Sequence, residues 1–332
     1  MGTSIVKRLI MGLVVAGGVL LVIEGGAWLV MPGQVMQRSP QDNYMQADEL
    51  LGWSPKPGEG KPFGIPRSTT INRLGTRNPD PTQKADDELR LLTLGDSTVF
   101  GVLVSDEAVF SSVATRYLQR RLRRPFSSFN GGIPGYSSEQ ARRLLQHRLA
   151  EVDYDFLIVA TLWSDSQLGG IPDAMKYPER VTTSQKVLYN LMTYRLLYGL
   201  VHGWQPTVVE WKLQEQPGGQ RVPLNAYQAN LTLFAEMARA RGAEPIYLIL
   251  PSSRDLTGQA LEEPRPAYRA MMAQVAAEQG AMLVDGASPF HGGESDLMAD
   301  DVHPTGRGHR LLGETLGAAM LARLEAEATG SP

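Results

Sequence analysis

The sequence predicts an α/β protein: a three-layer α/β/α domain around a central parallel sheet of about five strands, preceded by one N-terminal transmembrane helix. Three observations carry this. Apolar strand-like runs alternate with amphipathic helical runs from residue 89 onward. The residues with chemical character fall directly behind those strand-like runs. An apolar run behind a basic pair opens the chain.

That opening run, Leu9 to Ile23, is almost wholly apolar or glycine and continues to Met31 with Glu24 as its one charge. It has about the length a helix needs to span a bilayer. Lys7 and Arg8 precede it, which places the amino end in the cytoplasm and the remainder on the far side. A cleavable signal peptide is the alternative, with Gly25-Gly26-Ala27 as the small-residue cleavage site. Trp28 and the apolar residues after it favour an uncleaved anchor over 1–33. Glu24 sits near the outer end, where a carboxylate is tolerated or marks a partner helix.

Residues 34–88 are polar and rich in proline and glycine, as in Leu51-Gly52-Trp53-Ser54-Pro55-Lys56-Pro57 and Ile71-Asn72-Arg73-Leu74-Gly75-Thr76-Arg77. Turn residues at this spacing predict short strands and loops, packed as a collar on the following domain. Strands are then predicted at Leu89 to Leu94, near Ser128 to Asn130, Tyr154 to Thr161, Pro245 to Leu250 and Ala281 to Asp285. Helices are predicted at Ala108 to Leu122, Ser138 to Leu149, Leu224 to Arg241, Ala267 to Gln279 and Arg307 to Ala326. Such alternation gives right-handed crossovers and a sheet covered on both faces. The domain so formed is placed at 89–328, with an insertion or lid at 171–223 that is rich in Tyr and Trp. That insertion is either a helix packed on the domain, a cover over the acyl or sugar part of the substrate, or a surface resting on the membrane.

Composition narrows the function classes. The chain has 332 residues, 42% hydrophobic, and a formal charge of −3. Nothing in that balance suggests nucleic acid, and the basic run Arg120-Arg121-Leu122-Arg123-Arg124 falls at a helix end, where cations meet the dipole favourably. The absence of cysteine removes disulfides, thiol catalysis and a lipoprotein anchor. No metal-ligand cluster or dinucleotide loop stands out, so neither a metal nor a cofactor is expected.

The chemistry concentrates at two places. Gly95-Asp96-Ser97 follows the run Leu91-Leu92-Thr93-Leu94 and precedes the small Thr98-Val99-Phe100-Gly101. A tight turn there lifts the Ser97 hydroxyl to the carboxyl edge of the sheet, where open α/β folds put ligands. The same tripeptide also suits an ordinary helix cap. A nucleophilic serine needs a base, and Asp300-Asp301-Val302-His303-Pro304 offers one. Asp300 lies three residues before His303 and can accept a bond from its ring, fixing the tautomer. His309 is expected to cap or pack rather than react.

With both ends in view, the chain resembles the SGNH (GDSL-type) hydrolase family, whose first block is Gly-Asp-Ser and whose last is Asp-x-x-His. The resemblance covers roughly residues 90 to 325 and implies a flavodoxin-like sheet. It implies Ser97, Asp300 and His303 as the catalytic residues. The second block maps on Asn130-Gly131-Gly132-Ile133-Pro134-Gly135, which implies that Gly135 N–H faces the oxyanion beside Ser97 N–H. The third block falls on Leu162-Trp163-Ser164-Asp165, where Ser164 replaces the family's asparagine donor. Membrane-anchored bacterial members carry segments similar to Gly52-Trp53-Ser54-Pro55 and to Asn72 through Arg77. The resemblance thus implies a serine esterase acting on acetyl or other acyl groups, on a small molecule, a glycan or a lipid, on the periplasmic or extracellular side of the cytoplasmic membrane. A lipid acyl-ester hydrolase or an O-acyltransferase is the alternative within the same chemistry. A catalytically impaired binding or assembly protein is the alternative outside it, given Ser164.

Overall fold

The computed structural model describes residues 2–30, 44–48, 50–77, 79–169, 172–176, 193 and 219–329. The insertion expected at 171–223 therefore lies outside the described residues except for 172–176, 193 and 219–223. The chain forms two compact units, one from Met1–Met45 with Pro178–Lys212 and the other from Gln46–Tyr177 with Leu213–Pro332.

In the first unit, helix α1 runs Gly2–Val30. Met11, Val14, Leu20, Leu21 and Val22 are exposed along it. Glu24 accepts hydrogen bonds from the Thr193 backbone N–H at 3.0 Å and hydroxyl at 2.7 Å, so this lone carboxylate is met by a polar partner. Among the described residues no helix is long and apolar enough to cross a membrane, and the transmembrane span expected over 1–33 finds no support there.

The second unit is built on five parallel strands: β5 (Leu89–Gly95), β6 (Phe126–Gly132), β7 (Phe156–Ala160), β8 (Glu244–Ile249) and β9 (Met282–Asp285). Their order across the sheet is β6-β5-β7-β8-β9, the flavodoxin-like arrangement, whose direction of winding reverses between β5 and β7. The pairing is in register from Leu91↔Phe156 to Gly95↔Ala160 and from Leu89↔Phe126 to Gly95↔Gly132. Leu91, Leu92, Leu94, Leu157, Ile158, Val159 and Leu248 have no solvent exposure, as the central strands of a doubly covered sheet require. β6 begins two residues before its expected start and runs to Gly132 because its edge position tolerates Ser127, Ser128 and Asn130.

The covering helices are α3 (Phe110–Leu122), α4 (Ser138–His147), α6 (Leu224–Arg239), α8 (Arg265–Glu278) and α9 (Gly306–Thr329). Two short helices, α2 (Ser97–Phe100) and α7 (Ser253–Thr257), follow β5 and β8, and α5 (Asp173–Lys176) follows β7. Helix α4 starts where Ser137 accepts from Gln140 N–H while the Gln140 side chain accepts from Ser137 N–H, a reciprocal cap. Helix α9 packs on α3 at Gly313 and Gly317, where an added Cβ would lie 2.5 Å from Phe110 O and 2.9 Å from Tyr117. His309 is buried there. Its Nδ1 accepts from Phe110 N–H at 3.3 Å, its ring stacks on Phe110, and burial pushes its pKa down to about 3. The packing role expected for it holds.

The collar contains β1 (Met45–Asp48), β2 (Gly52–Pro55), β3 (Gly58–Gly60) and β4 (Thr69–Ile71). β1 pairs with β2, and β3 with β4 antiparallel. Asn72 closes the turn after β4 by accepting from Leu74 N–H and Thr76 N–H. Arg77 then bridges antiparallel to Asn130, so the collar covers the free edge of β6. The Arg77 side chain is buried and donates to the carbonyls of Phe100, Gly101 and Val104 and to Asp106. Through these bonds the collar residues around Arg77 pack on the domain.

Candidate active site

The site is assembled where β5 ends. Gly95 allows the approach of β7, since a Cβ there would lie 2.3 Å from Ala160 O. Asp96 then caps α2 by accepting from Thr98 N–H at 3.0 Å, and Gly101 ends that single turn in a left-handed conformation with φ 79°. The capping role and the half-buried serine are therefore compatible: Asp96 caps, and Ser97 stands at the first helical position.

Ser97 Oγ lies 2.7 Å from His303 Nε2, and His303 Nδ1 lies 2.7 Å from Asp300 Oδ2. Burial tends to raise the Asp300 pKa, but the bonds from the His303 ring and the Val302 and His303 N–H groups outweigh it and hold the carboxyl at about 2. The ionised Asp300 has only acceptors to offer, so Nδ1 carries a proton, and in the neutral imidazole Nε2 accepts from the Ser97 hydroxyl. Asp300 does two jobs. Oδ1 accepts from Val302 N–H and His303 N–H, both at 2.9 Å, which shapes the turn, while Oδ2 orients the ring.

The loop bearing His303 is tied down from three sides. Thr98 Oγ1 donates to Val302 O at 3.0 Å, which joins it to the turn that carries Ser97. Ala299 N–H donates to His303 O at 2.8 Å. Asp301 accepts from the Ser253 hydroxyl at 2.9 Å and from Arg265 at 2.7 Å. Thr98 was read only as a small residue after Ser97, and Ser253 and Arg265 went unremarked in the sequence, because each acts on residues far along the chain. Arg265 also lies over the ring of Trp163, the neighbour of Ser164.

The oxyanion candidates stand at the same sheet edge. Ile133 N–H donates to Gly95 O at 3.0 Å, which joins the Gly135 loop to the end of β5. Gly135 has φ 80°. Asn130 Nδ2 donates to Val99 O at 2.8 Å, so this side chain holds α2 rather than facing the reacting atoms. Ser164 is buried beyond β7. Burial pushes the Asp96 carboxyl up to about 6, against the Thr98 N–H and the nearby His303 ring. Asp165 is buried behind it, accepts from Ser138 N–H at 2.8 Å, and is pushed up to about 7 by burial. Among the described residues no group of His, Asp and Glu is arranged to hold a metal ion.

Residues 216–311, which include Asp300 and His303, match the model of the GDSL-like lipase/acylhydrolase family. The match spans less than half of the chain, and Ser97 and Gly135 lie ahead of the matched segment. Among solved structures, LAE5, an alpha/beta hydrolase enzyme from the metagenome of Lake Arreo, Spain, is similar with a TM-score of 0.47 and 16% identity over 71% of this chain and 95% of that one. Axe2, an acetylxylan esterase from Geobacillus stearothermophilus, gives 0.45 and 16% over 71% and 95%. The lipase/acylhydrolase from Enterococcus faecalis gives 0.45 and 14% over 71% and 96%. No curated protein matches the chain.

Replacing Asp300 with asparagine is expected to lower kcat by about a hundred- to ten-thousandfold, because an amide can hold the wrong histidine tautomer. Its stability effect has a definite sign. The folded pKa is below the ordinary 3.8, so Asp300 stabilises the fold above about pH 4 and loses that contribution as pH falls toward 2. Urea midpoints of the two proteins should therefore differ at pH 7 and converge at the acid end of that window.

Proposed function

We propose that this hydrolase is a serine esterase that removes short acyl groups, acetyl foremost, by two-step acyl transfer. The observation that carries the reading is the continuous relay from Ser97 Oγ through His303 to Asp300, with both links at 2.7 Å. His303 Nε2 takes the hydroxyl proton as Ser97 attacks the ester carbonyl. The N–H groups of Ser97 and Gly135, with Ser164, receive the oxyanion. The tetrahedral adduct collapses, His303 gives the proton to the leaving alcohol, and an acyl-Ser97 ester remains. Water, deprotonated by the same nitrogen, releases the carboxylic acid and restores Ser97.

Short acyl groups are favoured by the polar groups beside His303. The Asp300 side chain is 52% exposed and that of Asp301 46%, so the rim there is polar. A polar rim suits an acylated sugar better than a long acyl chain, which needs a buried apolar slot. Hydrolysis of p-nitrophenyl acetate, butyrate and octanoate by the full chain tests this. The expected order of kcat/KM is acetate above butyrate above octanoate, and a reversed order would assign the site to lipid esters.

For location we propose the bacterial envelope, with the second unit outside the cytoplasmic membrane. Support comes from Lys7 and Arg8 ahead of the apolar run and from the exposed apolar side chains of α1. The chain should stay with alkali-washed membranes, and recovery in the soluble fraction would reject this placement.

A further inference from the structure

Gly135 lies in a four-residue turn. Tyr136 N–H donates to Ile133 O at 3.0 Å, Pro134 is the second residue, and Gly135, with φ 80°, is the third. Proline followed by a glycine of positive φ marks a type II turn. Type II differs from the commoner type I by rotation of its central peptide through about half a turn. Here the central peptide is Pro134 C=O with Gly135 N–H. Those two groups belong to one plane and point in opposite directions, as in any trans peptide. Whatever fixes the Pro134 carbonyl therefore fixes where Gly135 N–H points.

The group that fixes it comes from the collar. Trp53 Nε1 donates to Pro134 O at 3.1 Å across 81 residues of sequence. The next peptide is held as well, since Arg221 Nη1 donates to Gly135 O at 2.8 Å. Arg221 is itself held by Asp173 and Gln140 Oε1. The two clamps support each other, because the Arg221 guanidinium lies 5.9 Å from the Trp53 ring centre. Tyr136 adds a third tie, its hydroxyl donating to Trp53 O while its ring meets the indole edge-on. A donor on the carbonyl side of an amide also polarises it, which strengthens the N–H as a donor on the other side.

We propose that Trp53 is a positioning residue for catalysis, selecting through Pro134 O the peptide orientation that presents Gly135 N–H to the oxyanion. Trp53 touches no reacting atom, and the proposal rests on the esterase reading above. The collar segment Gly52-Trp53 thereby becomes part of the catalytic apparatus rather than only an edge cover.

The test compares the full chain with Trp53→Phe, which keeps an aromatic ring against Tyr136 and Arg221 and removes the indole N–H. Initial rates with p-nitrophenyl acetate should show kcat lowered about ten- to a hundredfold, within the range for weakening one oxyanion donor, and KM changed less than about twofold. Affinity for a trifluoromethyl ketone, which forms a tetrahedral oxyanion on Ser97, should fall by a similar factor. A second variant with benzothienylalanine at position 53 preserves the bicyclic shape and lacks the N–H, and it should show the same loss with an unchanged melting temperature. Unchanged kcat in either variant overturns the proposal. So does a loss that disappears when rates are divided by the folded fraction, since that would be a stability effect alone. Ser97→Ala separates the two levels: if it retains the wild-type rate, the esterase reading fails and takes the proposal with it. If the rate depends on Ser97 but not on the Trp53 N–H, the positioning role alone fails.

Discussion

Ser97→Ala is expected to lower ester hydrolysis by at least about a thousandfold while leaving the fold intact. The side chain is half-buried at the start of α2, and its hydroxyl bonds to His303 Nε2. Alanine at the first position of a helix keeps its backbone unchanged, and Asp96 still caps Thr98 N–H. The melting temperature should therefore move little. Rates measured on p-nitrophenyl acetate with equal amounts of folded protein check this. Residual hydrolysis within about tenfold of wild type would mean that another group attacks the ester, since oxyanion stabilisation without a nucleophile leaves only a small remnant.

Arg77→Ala carries the largest expected stability effect, about 3–5 kcal/mol, the range for breaking a buried charged network. Arg77 is 1% exposed and bonds to three main-chain carbonyls between Phe100 and Val104 as well as to Asp106. Truncation leaves those carbonyls without their donor in a dry site, each at a cost of about 1–3 kcal/mol if no water replaces it. Asp106, whose side chain is 44% exposed, returns to solvent and adds little. The lost donors hold the segment that follows Ser97, so activity should fall along with the urea midpoint. A midpoint shift equivalent to less than about 1 kcal/mol would show that the collar is not integral to the domain.

What the sequence made legible was local. Asp300 and His303 are three residues apart, and the bonds that shape their turn lie within that span. Ser97 announced itself because an apolar strand, a cap and a small-residue turn are contiguous. The strand and helix pattern held to within a few residues; alternation pointed to the parallel sheet covered on both faces, while its flavodoxin-like order was what the family resemblance implied. Helix α3 begins at Phe110 rather than Ala108 because Asp106–Ala108 turns as a separate 3-10 segment. The work of Arg77, Trp53 and Arg221 was not legible in the same way. Each meets main-chain carbonyls dozens of residues away, and a carbonyl carries no side-chain signature. The segments of Trp53 and Arg77 stood out as turn-rich and family-like and Arg221 lay within the insertion, yet their partners emerge only once the collar lies along β6 and the Gly135 turn. Ser164 is intermediate: its place after β7 was expected, and its burial there is seen only in the fold.

The most direct test of the account is covalent labelling of the full chain with an alkyl fluorophosphonate, read by intact mass and peptide mapping. Ser97 Oγ should displace fluoride with His303 taking the proton, giving one adduct on Ser97 in the wild type and none in His303→Ala. An absent adduct in the wild type, an adduct elsewhere, or labelling of Ser97 that persists at full rate without His303 would contradict an activated serine at this site.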